Sequence, residues 1–138
     1  MQKKLIVRTI TAIALGAVAG ALIRYYLGLT ITNLLESKIP YGTMVINVTG
    51  CFMMGFLATF SLGQVISIHP DIRLLLLTGF LGSYTTFSSY ELDSVTLLQK
   101  QTLEADLLYW LGTAILGLFS LQLGIVLAER LLNYVETK

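Results

Sequence analysis

Charge is what this chain has least of: 12% of its 138 residues are Asp, Glu, Lys or Arg, and the formal net charge is +1. Nothing in that balance suggests nucleic acid or another electrostatic partner. Cysteine is nearly absent too. Cys51 stands alone in an apolar run, which excludes a disulfide framework and a thiolate metal site and leaves a small packing residue. What fills the chain instead is apolar, 55% hydrophobic residues with a mean hydropathy of +0.77. A soluble domain this small could not hide so much apolar surface without large exposed patches. The composition is that of an integral membrane protein.

The few charges mark out the crossings. Uncharged runs lie between Arg8 and Arg24, Lys38 and Asp71, Arg73 and Glu91, and Asp106 and Glu129. A helix rising about 1.5 Å per residue needs about 20 residues to cover about 30 Å of hydrocarbon. The pattern predicts an all-α membrane protein with four transmembrane helices, near 5–29, 41–62, 72–98 and 107–127, forming one domain over 1–138. Lys3, Lys4 and Arg8 before an apolar run loosely imitate a leader peptide. The run reads better as the first membrane helix, because Gly16 and Gly20 make a small-xxx-small face suited to close packing.

Tyr25, Tyr26, Lys38 and Tyr41 fall at one membrane face with Lys100, Tyr109 and Trp110, where amphipathic rings favour the interface. The other face carries Lys3, Lys4, Arg8, Arg73, Arg130 and Lys138. Six basic residues against two put both termini in the cytoplasm by the positive-inside rule.

The third crossing is interrupted. Its middle reads Gly79-Phe80-Leu81-Gly82-Ser83-Tyr84-Thr85-Thr86-Phe87-Ser88-Ser89-Tyr90, predicting a break near 82–86. Unpaired backbone groups in hydrocarbon cost several kcal/mol, so such a break persists only inside protein or along a watery path. Broken helices turn their free amides and carbonyls toward ions.

Other polar residues sit at helical spacing. Thr43 and Asn47 share a face of helix two, and Tyr109, Thr113 and Gly117 share one of helix four. Taken alone, Asn47 is either interhelical glue or a donor on a path. Arg24 either snorkels or faces inward. Glu91 and Asp93 either line a vestibule or reach the interface, and His69 is a solvated loop residue without a role. Hydroxyls such as Thr86 and Ser88, the Asn47 amide and the positive ring edges of Phe87 and Tyr90 can replace water around a small anion without a trapping charge. No acidic relay precedes Glu91. The residues therefore read as a passive, donor-lined anion path.

Three motifs carry a resemblance: Gly20-Ala21-Leu22-Ile23-Arg24-Tyr25, Tyr41-Gly42-Thr43-Met44-Val45-Ile46-Asn47-Val48-Thr49-Gly50, and the 79–90 segment above. In this order, and over essentially the whole chain, they resemble the Fluc (CrcB-type) fluoride channel family. The resemblance implies a channel, not an enzyme, in the cell membrane, exporting fluoride passively from the cytoplasm. It further implies an antiparallel dual-topology homodimer with two fluoride pathways and a structural sodium ion at its centre. Gly82 and Thr85 would hold that sodium through main-chain carbonyls. Asn47 would donate to fluoride, Phe87 would offer a ring edge, Tyr109 and Thr113 would form a polar track, and Arg24 would stand near a vestibule.

Departures from the family pattern are Tyr90 where a second phenylalanine is usual, Ser83 for a second glycine, and Asp93 for a glutamate. The Tyr90 ring could serve while its hydroxyl alters the path. The basic asymmetry favours one orientation, so a paralogous partner chain in a paired heterodimer is an alternative. A small four-helix drug/proton antiporter is another, although residues 10–23 lack the carboxylate that such transporters need. A third is a non-transporting subunit in which Asn47 and the hydroxyl cluster are packing glue.

Overall fold

The computed structural model describes residues 2–63 and 68–137, and every regular element in them is helical. α1 runs Gln2–Leu35 and α2 runs Tyr41–Leu62. α3, residues 70–84, joins three pieces: Pro70–Arg73, a π-wound stretch Leu74–Leu81, and a single turn Gly82–Tyr84. After Thr85 and Thr86, α4 runs Phe87–Lys100 and α5 runs Leu103–Glu136. Three helices, α1, α2 and α5, are long and apolar enough to cross a membrane. α3 and α4 make up the remaining, interrupted helix. Lys138, counted above among the basic residues, lies outside the described residues.

α1 and α5 hold 34 residues each and outrun the stretches predicted for them. Those stretches were bounded by charge, which marks the edge of the hydrocarbon, whereas helix winding needs only an unbroken backbone ladder. Thr30-Ile31-Thr32-Asn33 has no glycine or proline to stop it, and α1 ends where Glu36 takes a positive φ of 42°. α5 starts early because the Thr102 hydroxyl accepts the Ala105 N–H at 3.2 Å, satisfying one orphan donor of the first turn. α3 starts on Pro70, with the His69 ring accepting the Asp71 N–H at 3.2 Å. His69 is therefore a cap, not a plain loop residue.

The four helices pack as two close pairs, α1 along α3 and α2 along α5. Lipid tails are as apolar as leucine, so helices in a bilayer gain by bringing backbones together over small residues. Ala12, Gly16 and Gly20 are the buried residues of α1. A Cβ at Gly16 would overlap the Leu75 carbonyl, and one at Gly20 the Phe80 carbonyl. From the other side, a Cβ at Gly79 would sit 2.5 Å from the Ile13 carbonyl oxygen. Gly55 and Gly124 do the same for the second pair, against the Leu121 and Phe52 carbonyls.

Electrostatic ties close one end. Arg8 Nε donates to Asp71 Oδ2 at 2.9 Å, joining α1 to α3, and Arg73 Nη2 donates to the Ser61 carbonyl at 2.6 Å, where a cation suits the C-terminus of α2. Inside, Ile46, Leu81 and Tyr84 form one buried cluster and Tyr90, Leu97 and Tyr109 another. The first is anchored by the Tyr84 and Thr49 hydroxyls, 2.8 Å apart. Outward surfaces of α1 and α5 stay apolar, as Val18 and Leu118 illustrate.

Candidate ion pathway

The interruption between α3 and α4 is two extended residues, Thr85 (ψ 154°) and Thr86 (φ −148°, ψ 114°). Thr85 closes α3 by donating its N–H to the Leu81 carbonyl at 3.1 Å and its hydroxyl to the same carbonyl at 3.0 Å. Thr86 opens α4 as its N-cap, accepting the Ser89 N–H at 3.2 Å on its hydroxyl. Across the gap stands Asn47 of α2. Its Oδ1 accepts the Thr86 N–H at 2.9 Å, and its Nδ2 donates to the Thr86 carbonyl at 3.0 Å. The side-chain amide thus satisfies both backbone groups of one extended residue, as a neighbouring strand would.

The break leaves the carbonyls of Gly82, Ser83, Tyr84 and Thr85 without their helical donors, and two of those donors have new partners. In a continuous helix the Gly82 carbonyl would take the Thr86 N–H, which here goes to Asn47. The Thr85 carbonyl would take the Ser89 N–H, which goes to the Thr86 hydroxyl. Gly82 is exposed and Thr85 half-buried. A pair of released carbonyls a turn apart is a donor set for a hard monovalent cation.

Two cavities adjoin the Asn47–Thr86 pair, and Thr86 lines both. The first is an open groove of about 370 Å³ between α2, α4 and α5, walled by Asn47, Phe87, Tyr90, Thr113 and Gly117. Among the described residues no charged one lines it. One amide N–H of Asn47 goes to Thr86, which leaves its second for the groove, and the buried Thr113 Oγ1 has no hydrogen-bond partner among the described residues. The second, of about 320 Å³, lies between α1, α2 and the start of α4, with Arg24, Thr43, Thr86 and Ser89 on its walls. Half-buried Arg24 therefore borders a polar cavity, one of the two settings its position allowed.

The expected residues fall into linked groups. Asn47, Thr86, Phe87, Tyr90 and Thr113 surround the groove; Arg24, Thr43 and Thr86 share the polar cavity. Ser88 is exposed, its hydroxyl 3.4 Å from that of Thr86. Tyr109 borders neither space. It is 3% exposed and packed on Tyr90, well away from a surface belt.

Asp93 and Glu91, which the sequence left undivided, point apart. Asp93 accepts the Thr43 hydroxyl at 2.6 Å and the Tyr109 hydroxyl at 3.4 Å, whereas Glu91 accepts the Trp110 indole N–H at 3.3 Å on an exposed surface. Sequence reasoning missed the buried bond from Ser94 to Asp106, which had served only to end an uncharged run. Its signal was Ser94 one helical turn beyond Glu91 and Tyr90. Ser89 and Thr32 on the polar cavity were also missed.

The model of the CrcB-like (camphor resistance, CrcB) family matches residues 11–125, which include every residue of both cavities. The chain belongs to the CrcB family. Among its CrcB relatives, the fluoride-specific ion channel FluC of Trichormus variabilis is 52% identical over 118 residues, 86% of each chain. FluC of a Synechococcus species is 48% identical over 86% of this chain and 90% of its own. FluC of a Synechocystis species is 44% identical over 90% of this chain and 95% of its own. CrcB membership sets aside the drug/proton antiporter, and with it the need for a carboxylate in α1.

Proposed function

We propose that this chain is a fluoride-specific channel subunit that lets fluoride leave the cytoplasm passively, without enzymatic chemistry. The observation that carries the reading is the Asn47–Thr86 pair, which holds a helix break open between a cavity bordered by Arg24 and an uncharged groove lined by ring and hydroxyl groups. Fluoride binds protons and strong donors tightly, so a conducting site must offer hydrogens without a fixed positive charge. The free Asn47 N–H, the unpartnered Thr113 hydroxyl and the edges of Phe87 and Tyr90 supply such contacts. Thr86, Ser88 and Thr43 extend the track on either side, Tyr109 backs it from behind the Tyr90 ring, and Arg24 attracts the anion toward it.

The working unit in this proposal is an antiparallel homodimer in the cell membrane. Phe87 is 74% exposed, and Gly82 and Ser88 near it in the chain are exposed too, a poor surface to leave to lipid and a natural one to meet a second copy. The released carbonyls of Gly82 and Thr85 fit a structural sodium ion at the axis between the copies. Sodium bound there would neutralise carbonyl dipoles that no backbone donor answers. One second reading is favoured by a specific observation: the basic residues crowd the Arg8–Arg73–Arg130 end, which suits a chain of fixed orientation paired with a paralogue.

Purified protein in liposomes with a fluoride gradient and a potassium ionophore tests the function. Fast efflux with no imposed proton gradient is expected, and Asn47→Asp should silence it by setting a carboxylate against the Thr86 carbonyl and the passing anion. Efflux that requires a proton gradient would defeat the channel reading.

A further inference from the structure

The hydroxyl of Tyr90 is already committed. It donates to the Trp110 carbonyl of α5 at 2.6 Å, so it is not offered to the groove. That carbonyl lies inside a continuous helix and has a second lone pair to give. The Tyr90 ring is 6% exposed, with its centroid 5.6 Å from Tyr109 on the closed side and 5.9 Å from Phe87 on the open side. Phe87, 74% exposed, has Tyr90 as its ring neighbour within the chain. One residue further, Glu91 takes the Trp110 indole N–H at 3.3 Å, a second tie to the same residue of α5.

We infer that the Tyr90 hydroxyl is a positioning group: its bond to the Trp110 carbonyl latches the Tyr90 ring against α5 and thereby fixes the angle at which Tyr90 and Phe87 face the groove. The inference rests on the proposed path and deepens it, since a ring held in one orientation defines the cross-section that an anion meets. A phenyl ring without the latch keeps the same volume and face but turns more freely about its torsions. Losing one ordinary hydrogen bond multiplies the population of other orientations by about fivefold. A small, strongly hydrogen-bonding anion and a larger one respond differently to such loosening. The latch therefore acts on discrimination between fluoride and chloride.

Tyr90→Phe tests this cleanly. It removes the hydroxyl and leaves Trp110 with its helical partner, so no buried group is orphaned. The measurement is the ratio of fluoride to chloride efflux from liposomes, for the parent and for Tyr90→Phe, with dimer assembly checked by gel filtration. The expected result is an assembled variant whose fluoride-over-chloride ratio has fallen about fivefold. An unchanged ratio would overturn the inference, including the case where both rates fall alike, because a purely structural bond scales both. A rise in the ratio would overturn it too, since that would place the hydroxyl as an obstacle on the path. Failure of Tyr90→Phe to assemble would count against it equally, because a bond of this size cannot hold the fold. If the parent itself passes no fluoride, the function falls and the latch with it; if only the ratio fails to move, the latch alone is lost.

Discussion

At the residue scale, the most telling atom is Thr113 Oγ1, buried and without a partner beside the groove. A buried hydroxyl left unmade costs about 1–3 kcal/mol, so the fold alone has no use for it. Thr113→Val keeps the shape and removes that cost. Melting of the detergent-solubilised protein should show stability unchanged or raised by about 1 kcal/mol, while fluoride efflux falls by roughly tenfold through loss of a donor to the anion. A variant that loses stability and flux together would make Thr113 a packing residue. Some residues were legible in this way from sequence. Asn47 and Thr113 stood out as polar groups on apolar helices, where every donor must find an acceptor. The division between Asp93 and Glu91 was not legible, because two residues of separation only says that they point apart. Which of them meets Thr43 depends on the angle at which α4 leaves the break.

At the scale of elements, spacing announced the break because it needs two glycines and a run of hydroxyls in one place. Helix lengths were less legible, since charge reports the bilayer and not the backbone. The π-winding of Leu74–Leu81 carries no signal in a run of leucines, yet it falls where α1 and α3 come closest. Gly79 belongs to that contact, with a would-be Cβ 2.5 Å from the Ile13 carbonyl oxygen and 3.0 Å from Gly16 Cα. Backbone cannot step aside as a side-chain tip can. Gly79→Ala should therefore destabilise the protein by about 1–3 kcal/mol in thermal unfolding. Gly112, on α5, is the internal control: a Cβ there meets nothing within 4 Å, so Gly112→Ala should be neutral or stabilising by up to about 1 kcal/mol. Equal effects at the two glycines would mean that the α1–α3 contact is looser than its geometry.

On the scale of the whole molecule, the proposed assembly and the charge pattern pull in different directions. An antiparallel homodimer needs chains inserted both ways, yet Lys3, Lys4, Arg8, Arg73 and Arg130 gather at one end against Lys38 and Lys100 at the other. Positive-inside bias acts through basic residues close to the spans, and an acidic partner such as the Asp71 that pairs with Arg8 offsets it little. The proposed homodimer therefore needs both insertions to occur against that bias. The test is a single reporter thiol. With Cys51→Ser removing the native one, Gln101→Cys sits at the α4–α5 corner, outside the spans, and leaves every basic residue in place. A membrane-impermeant maleimide applied to intact cells, then to inverted vesicles, should reach equal shares of the chain from either side. Labelling from the outside alone would mean one fixed orientation. The exposed face of Phe87 would then await a paralogue inserted the other way, and fluoride efflux by this chain purified alone should be weak.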